Sequence, residues 1–529
     1  MTLIGDIATN NARRYPDKRA LVDAGRSLTW SQVDERARRL AGFMAGQGLA
    51  PGDRVMVIAR NCIEWPEISF GLAKAGLIAV PVNIRLAPDE VAHVRDDCAA
   101  RAVIVHADHR DKFLDELSDL ALVLTIGPDY ESALAAADLV QPQIDIDPDD
   151  VAVILYTSGT TGRAKGVMHT HRGLLYQAAD TNLVTEANRS DVMLATTPFF
   201  TAGGMVRTVS WLYLGQTMVI HQRFDPQAVI DEIERSAITF TTFIPTMLHR
   251  TLAILEDGPP RDMSSLRRIS YGSAPVPPGL ARKAMDLLGC DLQQRYGLTE
   301  CGGQATILTP QDHRDIVDGR TSIATSCGHE TPMCAIRVIS NHEGADGTEL
   351  PPGDVGEIVI VSPANAVGYW NLPEQTAETF RPDGLRTGDL GYLDADNYLH
   401  ITGRRTDLII SGGFNVYPAE IERVIAQNPS VDMVAVVGAP DQEWGETPVA
   451  VVIPKSDVHD QEALAIELAA LCRAELAGYK QPRRFVFWRE FPLGPAGKIL
   501  KREIANQVNQ VGDADAKMPV STGSTEERA

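Results

Sequence analysis

The sequence predicts an α/β protein: a large N-terminal domain of mixed and parallel sheets flanked by helices, containing a β-rich subregion, followed by a small α+β C-terminal domain. Three observations carry this expectation. Helix-like and strand-like periods alternate from residue 26 to 105 and recur at 216–221 and 237–244, the pattern of a mostly parallel sheet. The stretch 344–361 changes character, because Asp346-Gly347 and Pro351-Pro352-Gly353-Asp354 are turn signals and a short strand follows at 356–361. A separate α+β pattern begins after Gly403-Arg404-Arg405-Thr406-Asp407.

Residues 26–50 read as a helix entry and an amphipathic helix. Thr29 and Gln32 form a capping-box pair, and Val33, Ala37, Leu40, Ala41 and Met44 recur at helical spacing. Pro51-Gly52-Asp53 stops the helix before a strand at 54–58. Two more cycles follow: a helical 64–76 before a strand-like 78–82, and a helix from Asp89 before a strand at 102–105. Towards the C-terminus, 434–438 and 449–453 read as strands and the Ala/Leu/Glu-rich 460–477 as a helix. The domain boundary falls near 404–407, giving an N-terminal domain over 1–403 and a C-terminal one over 407–507. The polar stretch 508–529 is expected to be a flexible tail.

A chain of 529 residues corresponds to roughly three or four domain-sized units. With 44% hydrophobic and 22% charged residues, it is composed like a soluble globular protein. The net charge of -21 argues against a nucleic-acid binder, which carries a basic face. It leaves room for a phosphate ligand, because a local nest of backbone N–H groups binds anions whatever the global charge. The seven cysteines are odd in number and include no Cys-x-x-Cys pair. That speaks against a disulfide framework or structural zinc and for a reducing, cytoplasmic setting. The N-terminus shows no leader pattern, and no run is apolar enough for a membrane span.

One stretch carries chemistry by itself. An apolar strand at 151–155 runs into Tyr156-Thr157-Ser158-Gly159-Thr160-Thr161-Gly162-Arg163-Ala164-Lys165-Gly166. The glycines permit close backbone approach, the hydroxyls add donors and Lys165 adds a charge, all of which suit phosphate. The nucleoside-triphosphatase P-loop ends in Gly-Lys-Ser/Thr, whereas Lys165 here precedes Gly166 and Val167. Four further stretches are weak singly: Tyr296-Gly297-Leu298-Thr299-Glu300, Arg386-Thr387-Gly388-Asp389-Leu390-Gly391, Gly403-Arg404 with Ile409-Ile410-Ser411-Gly412-Gly413, and Pro495-Ala496-Gly497-Lys498.

Together and in this order, these motifs resemble the adenylate-forming superfamily of acyl- and aryl-CoA synthetases, adenylation domains and luciferases, and are most similar to fatty-acid or aryl-acid CoA ligases. The resemblance spans about residues 5–505. It implies ATP, Mg²⁺ and coenzyme A as cofactors. Thr157, Ser158, Gly159, Thr160, Thr161, Gly162 and Lys165 would cradle the β- and γ-phosphates. Tyr296 would stack on adenine opposite Gly272, Ser273 and Ala274. Thr299 would contact the α-phosphate and Glu300 would hold Mg²⁺. Asp389, helped by Arg404, would bind the ribose, and Lys498 would lie between ribose and substrate carboxylate. The C-terminal domain would be mobile about a hinge at 404–406, with Thr406 at the hinge position and Ser411, Gly412 and Gly413 lining a thiol tunnel.

The acid is read from less regular stretches. Amino-acid-activating relatives carry an Asp in the stretch that here runs from Thr196 to Gly204 without one, which disfavours an amino acid. Acyl- and aryl-CoA ligases often have His where Thr201 stands, so a wider or more polar pocket entrance is expected. Phe199, Phe200, Thr201, Gly203, Gly302 and Gly303 are the candidate substrate contacts. Arg207 is the one cation seen near these segments, so a dicarboxylate is not favoured and a fatty or aromatic monocarboxylic acid is expected. Three readings follow: an acid–CoA ligase, an acyl-AMP ligase that loads a carrier protein, and a nucleotide-binding module without catalysis, which Lys498 and Glu300 argue against. The partner is a small-molecule carboxylic acid, with no nucleic acid and no membrane span, and a homodimer is compatible with the reading.

Overall fold

Thr29 and Gln32 close the capping box that their spacing predicts: the Gln32 amide donates to the Thr29 hydroxyl and the Thr29 amide to Gln32 Oε1 at 2.8 Å. The helix Trp30–Gly46 follows and buries Val33, Ala37, Leu40, Ala41 and Met44 on one face. The segment before the cap is not helical. Arg26–Thr29 is an edge strand, antiparallel to Arg19–Asp23. Local spacing marks where the helix begins, whereas strand pairing depends on a partner that no local pattern shows.

The computed structural model describes residues 3–139, 145–157, 164–272, 276–340, 347–411, 414–441, 444–455, 458, 460–493 and 499–510. The chain divides into two units, Met1–Thr387 with Gly391–Ile401, and Gly388–Leu390 with Thr402–Ala529.

The first unit holds two large sheets. A nine-stranded sheet runs in the order His329–Glu330, Thr306–Leu308, Asp291–Tyr296, Arg268–Gly272, Phe240–Phe243, Val192–Ala195, Thr217–Ile220, Arg19–Asp23 and Arg26–Thr29. Its six central strands are parallel, and the strands at its two edges are antiparallel. A seven-stranded sheet runs Gly368–Tyr369, Lys165–Thr170, Val151–Thr157, Ile78–Pro81, Arg54–Ile58, Ala102–His106 and Leu122–Ile126. The central strands Arg54–Ile58, Ile78–Pro81 and Ala102–His106 are almost wholly buried and carry continuous apolar runs, as strands covered on both faces must. The β-rich subregion appears as a third sheet of Ala335–Ile339, Gly356–Val361, Gly384–Leu393 and Phe380–Arg381, with Leu399–Arg404 paired to Gly384–Leu393.

The second unit is built on Phe414–Val416, Ile409–Ser411, Gly445–Pro454 and Val431–Asp441, with Arg484–Phe487 alongside Gly445–Pro454. The two long strands pair antiparallel along their whole length, which extends them beyond the apolar cores that predict them. The helix Gln461–Glu475 starts at Asp460, whose side chain accepts from the Ala463 amide. The helix Lys501–Gln510 reaches past residue 508, where a tail is expected. Ile504 and Val508, four residues apart, are both buried and hold that last turn. Residues 511–529 of that expected tail lie outside the described residues. Among the described residues no helix is long and apolar enough to cross a membrane.

Candidate functional site

The strand Val151–Thr157 runs two residues beyond its apolar core and returns as Lys165–Thr170, with Thr157 opposite Lys165. The hairpin therefore brings the first and last residues of the phosphate-loop motif side by side. Ser158, Gly159, Thr160, Thr161 and Gly162 lie outside the described residues.

Lys165 is linked to the second motif through a residue that sequence reasoning missed. Lys165 Nζ lies 5.2 Å from the centroid of the Tyr369 ring. The Tyr369 hydroxyl donates to Glu300 Oε1 at 2.9 Å. Burial, reinforced by the Glu300 carboxylate, pushes the Tyr369 pKa up, so the phenol remains a neutral donor. Tyr369 reaches this place because Gly368–Tyr369 pairs with the returning strand of the hairpin. The Ala366 amide also donates to the Glu300 carbonyl at 2.8 Å. The one local signal for Tyr369 was an aromatic pair, Tyr369-Trp370, and nothing in its spacing tied it to residue 165 or 300.

Thr299 and Glu300 open a short 3-10 turn, Thr299–Cys301, after the strand Asp291–Tyr296. Gly297 makes the turn feasible: a Cβ there would lie 2.6 Å from the Gln304 amide nitrogen. Tyr296 ends its strand half-buried, next to Arg295, the cross-strand partner of Gly272. Tyr296 and Gly272 thus stand at neighbouring strand ends, while Ser273 and Ala274 lie outside the described residues. Gly302 and Gly303 have φ of +76° and +90°, so the turn itself accounts for both glycines. A side chain on Gly302 would meet Gln177, whereas Gly303 faces open space.

The expected substrate contacts have these places in the fold. Phe199 is buried and packs edge-to-face on Trp65 at 6.3 Å, and Phe200 belongs to the same core. Thr201 is the N-cap of the helix Ala202–Leu212: its hydroxyl accepts from the Gly204 amide at 3.2 Å and donates to the Pro198 carbonyl at 2.8 Å. Those two bonds use the hydroxyl's proton and one of its two acceptor sites, so Thr201 shapes the helix start. Gly203 lies under the Arg207 guanidinium, whose Cζ would sit 3.7 Å from a Cβ at that position. Arg295 is a second cation of this region. It stands immediately before the Tyr296 motif and donates to Thr242 Oγ1 at 3.0 Å.

His169 on the returning hairpin strand lies beside the Thr299 backbone, and burial holds its pKa down to about 4. Burial does the same to His171, whose Nδ1 accepts from the Ile4 amide. An unfolded histidine titrates near 6.5, so between about pH 6.5 and 4 the unfolded chain binds protons that the folded one refuses. Their contribution to stability is full above about pH 6.5 and is lost as pH falls towards 4, by about 3 kcal/mol for each histidine at pH 4. Denaturant unfolding of the whole protein across that range is expected to show this fall, and His169→Asn should make it shallower.

In the second unit, Arg404 Nε lies 3.1 Å from Asp389 Oδ1, with the Asp389 carboxylate largely buried and the arginine half exposed. Thr406 bonds its neighbour Asp407 at 3.2 Å. Ser411 is buried and pairs with Phe414, while Gly412 and Gly413 lie outside the described residues. Lys498 lies outside them too; on either side of it, Leu493 and Ile499 form a bridge.

Comparison with known proteins supplies the family. The AMP-binding enzyme family matches residues 8–370, and the AMP-binding enzyme C-terminal domain matches residues 420–498. A fatty acid–acyl-carrier-protein ligase of Streptomyces coeruleorubidus is 35% identical over 506 residues, covering 94% of this chain and 95% of the relative. A feruloyl-CoA synthase of an Amycolatopsis species is 35% identical over 503 residues, covering 95% and 98%. The crystal structure of ATP-bound MatB from Rhodopseudomonas palustris is 30% identical, covers 95% of this chain and 99% of its own, and superposes with a TM-score of 0.84. With both family segments present in order and relatives matched almost end to end, the chain belongs to the AMP-binding enzyme family and is an ATP-dependent, AMP-forming acid–thiol ligase.

Proposed function

We propose that the protein joins a fatty or aromatic carboxylic acid to coenzyme A in two steps, with Lys165, Tyr369 and Glu300 at the centre of the first. A carboxylate oxygen of the acid attacks the α-phosphorus of ATP, the bond to the β-phosphate breaks, and pyrophosphate leaves with the electron pair. The thiol sulfur of coenzyme A then attacks the acyl carbonyl, loses its proton and displaces AMP. The supporting observation is the contact chain from Lys165 through Tyr369 to Glu300.

Both reactants of the first step are anions, so catalysis consists of positioning and charge neutralisation. Lys165, with Thr157, Ser158, Gly159, Thr160, Thr161 and Gly162, neutralises the leaving pyrophosphate. Thr299 orients the α-phosphate. Tyr296, with Gly272, Ser273 and Ala274, holds the adenine. Asp389 takes the ribose hydroxyls with Arg404 steering its carboxylate, and Lys498 supplies a cation to the reacting carboxylate. Ser411, Gly412 and Gly413 line the path of the thiol. Glu300 fits a Mg²⁺ site: it receives one phenol donor and has no ion pair among the described residues, and Mg²⁺ binds through one or two carboxylates plus phosphate oxygens. When bound, the ion withdraws charge from the phosphates. All seven cysteines are free thiols and six are buried, which suits a reducing cytoplasm.

A second acceptor deserves the same assay, because one relative is named a fatty acid–acyl-carrier-protein ligase. Pyrophosphate release is measured with a panel of fatty, aryl and alicyclic acids, with and without coenzyme A. An acyl-CoA product supports the CoA ligase. Adenylate that accumulates unless a phosphopantetheinyl carrier is added supports the carrier-loading reading, and no release with any acid overturns both.

A further inference from the structure

Burying a guanidinium without an anion is costly, and buried cations are normally paired. The first unit follows this rule elsewhere. Buried Lys74 meets Asp34 at 3.0 Å, and buried Arg268 meets Glu186 at 3.1 Å. Arg207 and Arg295 break it. Arg295 is 8% exposed and its recorded partner is the neutral hydroxyl of Thr242. Arg207 contacts Thr197 Oγ1 at 3.3 Å and lies over the backbone of Gly203. Among the described residues neither forms an ion pair. Each is desolvated: burial holds the Arg295 pKa down to about 10, and burial plus repulsion from Arg295 lowers that of Arg207 well below its ordinary value. The strand register brings their anchors together: Phe240 and Thr241 pair with Met193 and Leu194, so Thr242, which holds Arg295, lies on the strand beside the one that leads to Thr197, which holds Arg207. Arg207 nonetheless keeps part of its surface accessible.

Their position in the fold has a meaning. Thr197 follows the strand Val192–Ala195, Thr242 lies on Phe240–Phe243, and Arg295 is the penultimate residue of Asp291–Tyr296. All three strands are parallel members of one sheet, and Arg295 reaches across the intervening strand Arg268–Gly272 to Thr242. Both cations therefore gather at the carboxyl ends of parallel strands, where open α/β sheets bind ligands. Thr196 and Ser270, both buried, each carry a hydroxyl with no partner among the described residues in this same layer of strands. Two cations, neutral partners and spare hydroxyls form a place that, among the described residues, holds no anion.

We propose that Arg207 and Arg295 form an anion-reading subsite, and that the acid activated by this enzyme carries a second anionic group, a carboxylate or its equivalent, remote from the carboxylate that reacts. This rests on the acid–thiol ligase reading and departs from the monocarboxylic acid that the sequence segments favour. That expectation counted one cation near the pocket, because Arg295 comes from a strand some ninety residues away in sequence from Arg207. Both arginines set specificity here and take no part in the bond changes.

The test is acid-dependent pyrophosphate release with matched pairs: α,ω-dicarboxylic acids against their monomethyl esters, and benzoic or phenylpropanoic acids with and without a second carboxylate. The diacid is expected to exceed its monoester in kcat/KM by about a hundredfold, consistent with the cost of leaving a buried charge unpaired. In Arg207→Met and Arg295→Met that ratio should fall at least tenfold while the KM for ATP stays within about twofold. Unliganded Arg207→Met is expected to melt higher than the parent protein, because it removes an uncompensated charge. A preferred diacid should raise the melting temperature of the parent and not that of the variant. Equal use of monoester and diacid, equal loss on both in the variants, or a lower melting temperature for Arg207→Met would overturn the subsite while leaving the ligase reading intact. No release with any acid would overturn both.

Discussion

Lys498→Ala is expected to lower acid- and ATP-dependent pyrophosphate release on the order of a thousandfold, the scale of losing a preorganised charge at a reacting centre. It should leave the reaction of a supplied acyl-adenylate with coenzyme A within a few-fold of the parent. The reasoning is electrostatic. A carboxylate approaching a triphosphate meets like charge, and a cation beside the reacting oxygens lowers that barrier. In the thiolysis step the thiol sulfur attacks the acyl carbonyl of the mixed anhydride and AMP leaves, so no carboxylate has to approach a polyphosphate and the same cation has less to offset. Single-turnover assays of the two half-reactions separate these outcomes. Equal loss in both would remove Lys498 from its assigned place and point to a general disturbance of the protein.

Glu300→Gln is expected to lower activity about a hundredfold at a fixed, low Mg²⁺ concentration, and to shift the Mg²⁺ needed for half-maximal rate upward. The amide keeps the shape and still accepts from Tyr369, whose hydroxyl lies 2.9 Å from Oε1 in the parent, but it no longer carries charge. Tyr369→Phe separates the two effects. It removes one hydrogen bond and leaves the carboxylate, so its cost should stay near tenfold with a smaller change in Mg²⁺ dependence. A Mg²⁺ titration of pyrophosphate release distinguishes the two, and an unchanged titration curve in Glu300→Gln would falsify the metal assignment.

The fold class was legible because its signals are short-range. A capping box at Thr29 and Gln32, a five-residue apolar face and a Pro-Gly-Asp stop all lie within one helix and its exit. Boundaries moved where pairing intervened. Arg26–Thr29 became an edge strand, and Gly445–Pro454 lengthened against Val431–Asp441. Thr201 shows the same limit at the level of one side chain. Its place in the sequence does not show that its hydroxyl also caps a helix, accepting from Gly204 and donating to Pro198.

The sequence by itself determined the alternation of helix and strand, the order of the motifs and a Ser/Thr/Gly-rich stretch that ends in Lys165 and is proposed to bind phosphate. These are properties of residues a few positions apart, which a linear reading can see. The tertiary structure alone decided that Tyr369 stands between Lys165 and Glu300, and that Arg207 and Arg295 are held by Thr197 and Thr242 on neighbouring strand ends with no ion pair among the described residues. Those facts depend on which strands lie side by side. Strand order is set by burying whole sheets and helices together, so residues hundreds of positions apart become neighbours with no trace in the spacing between them.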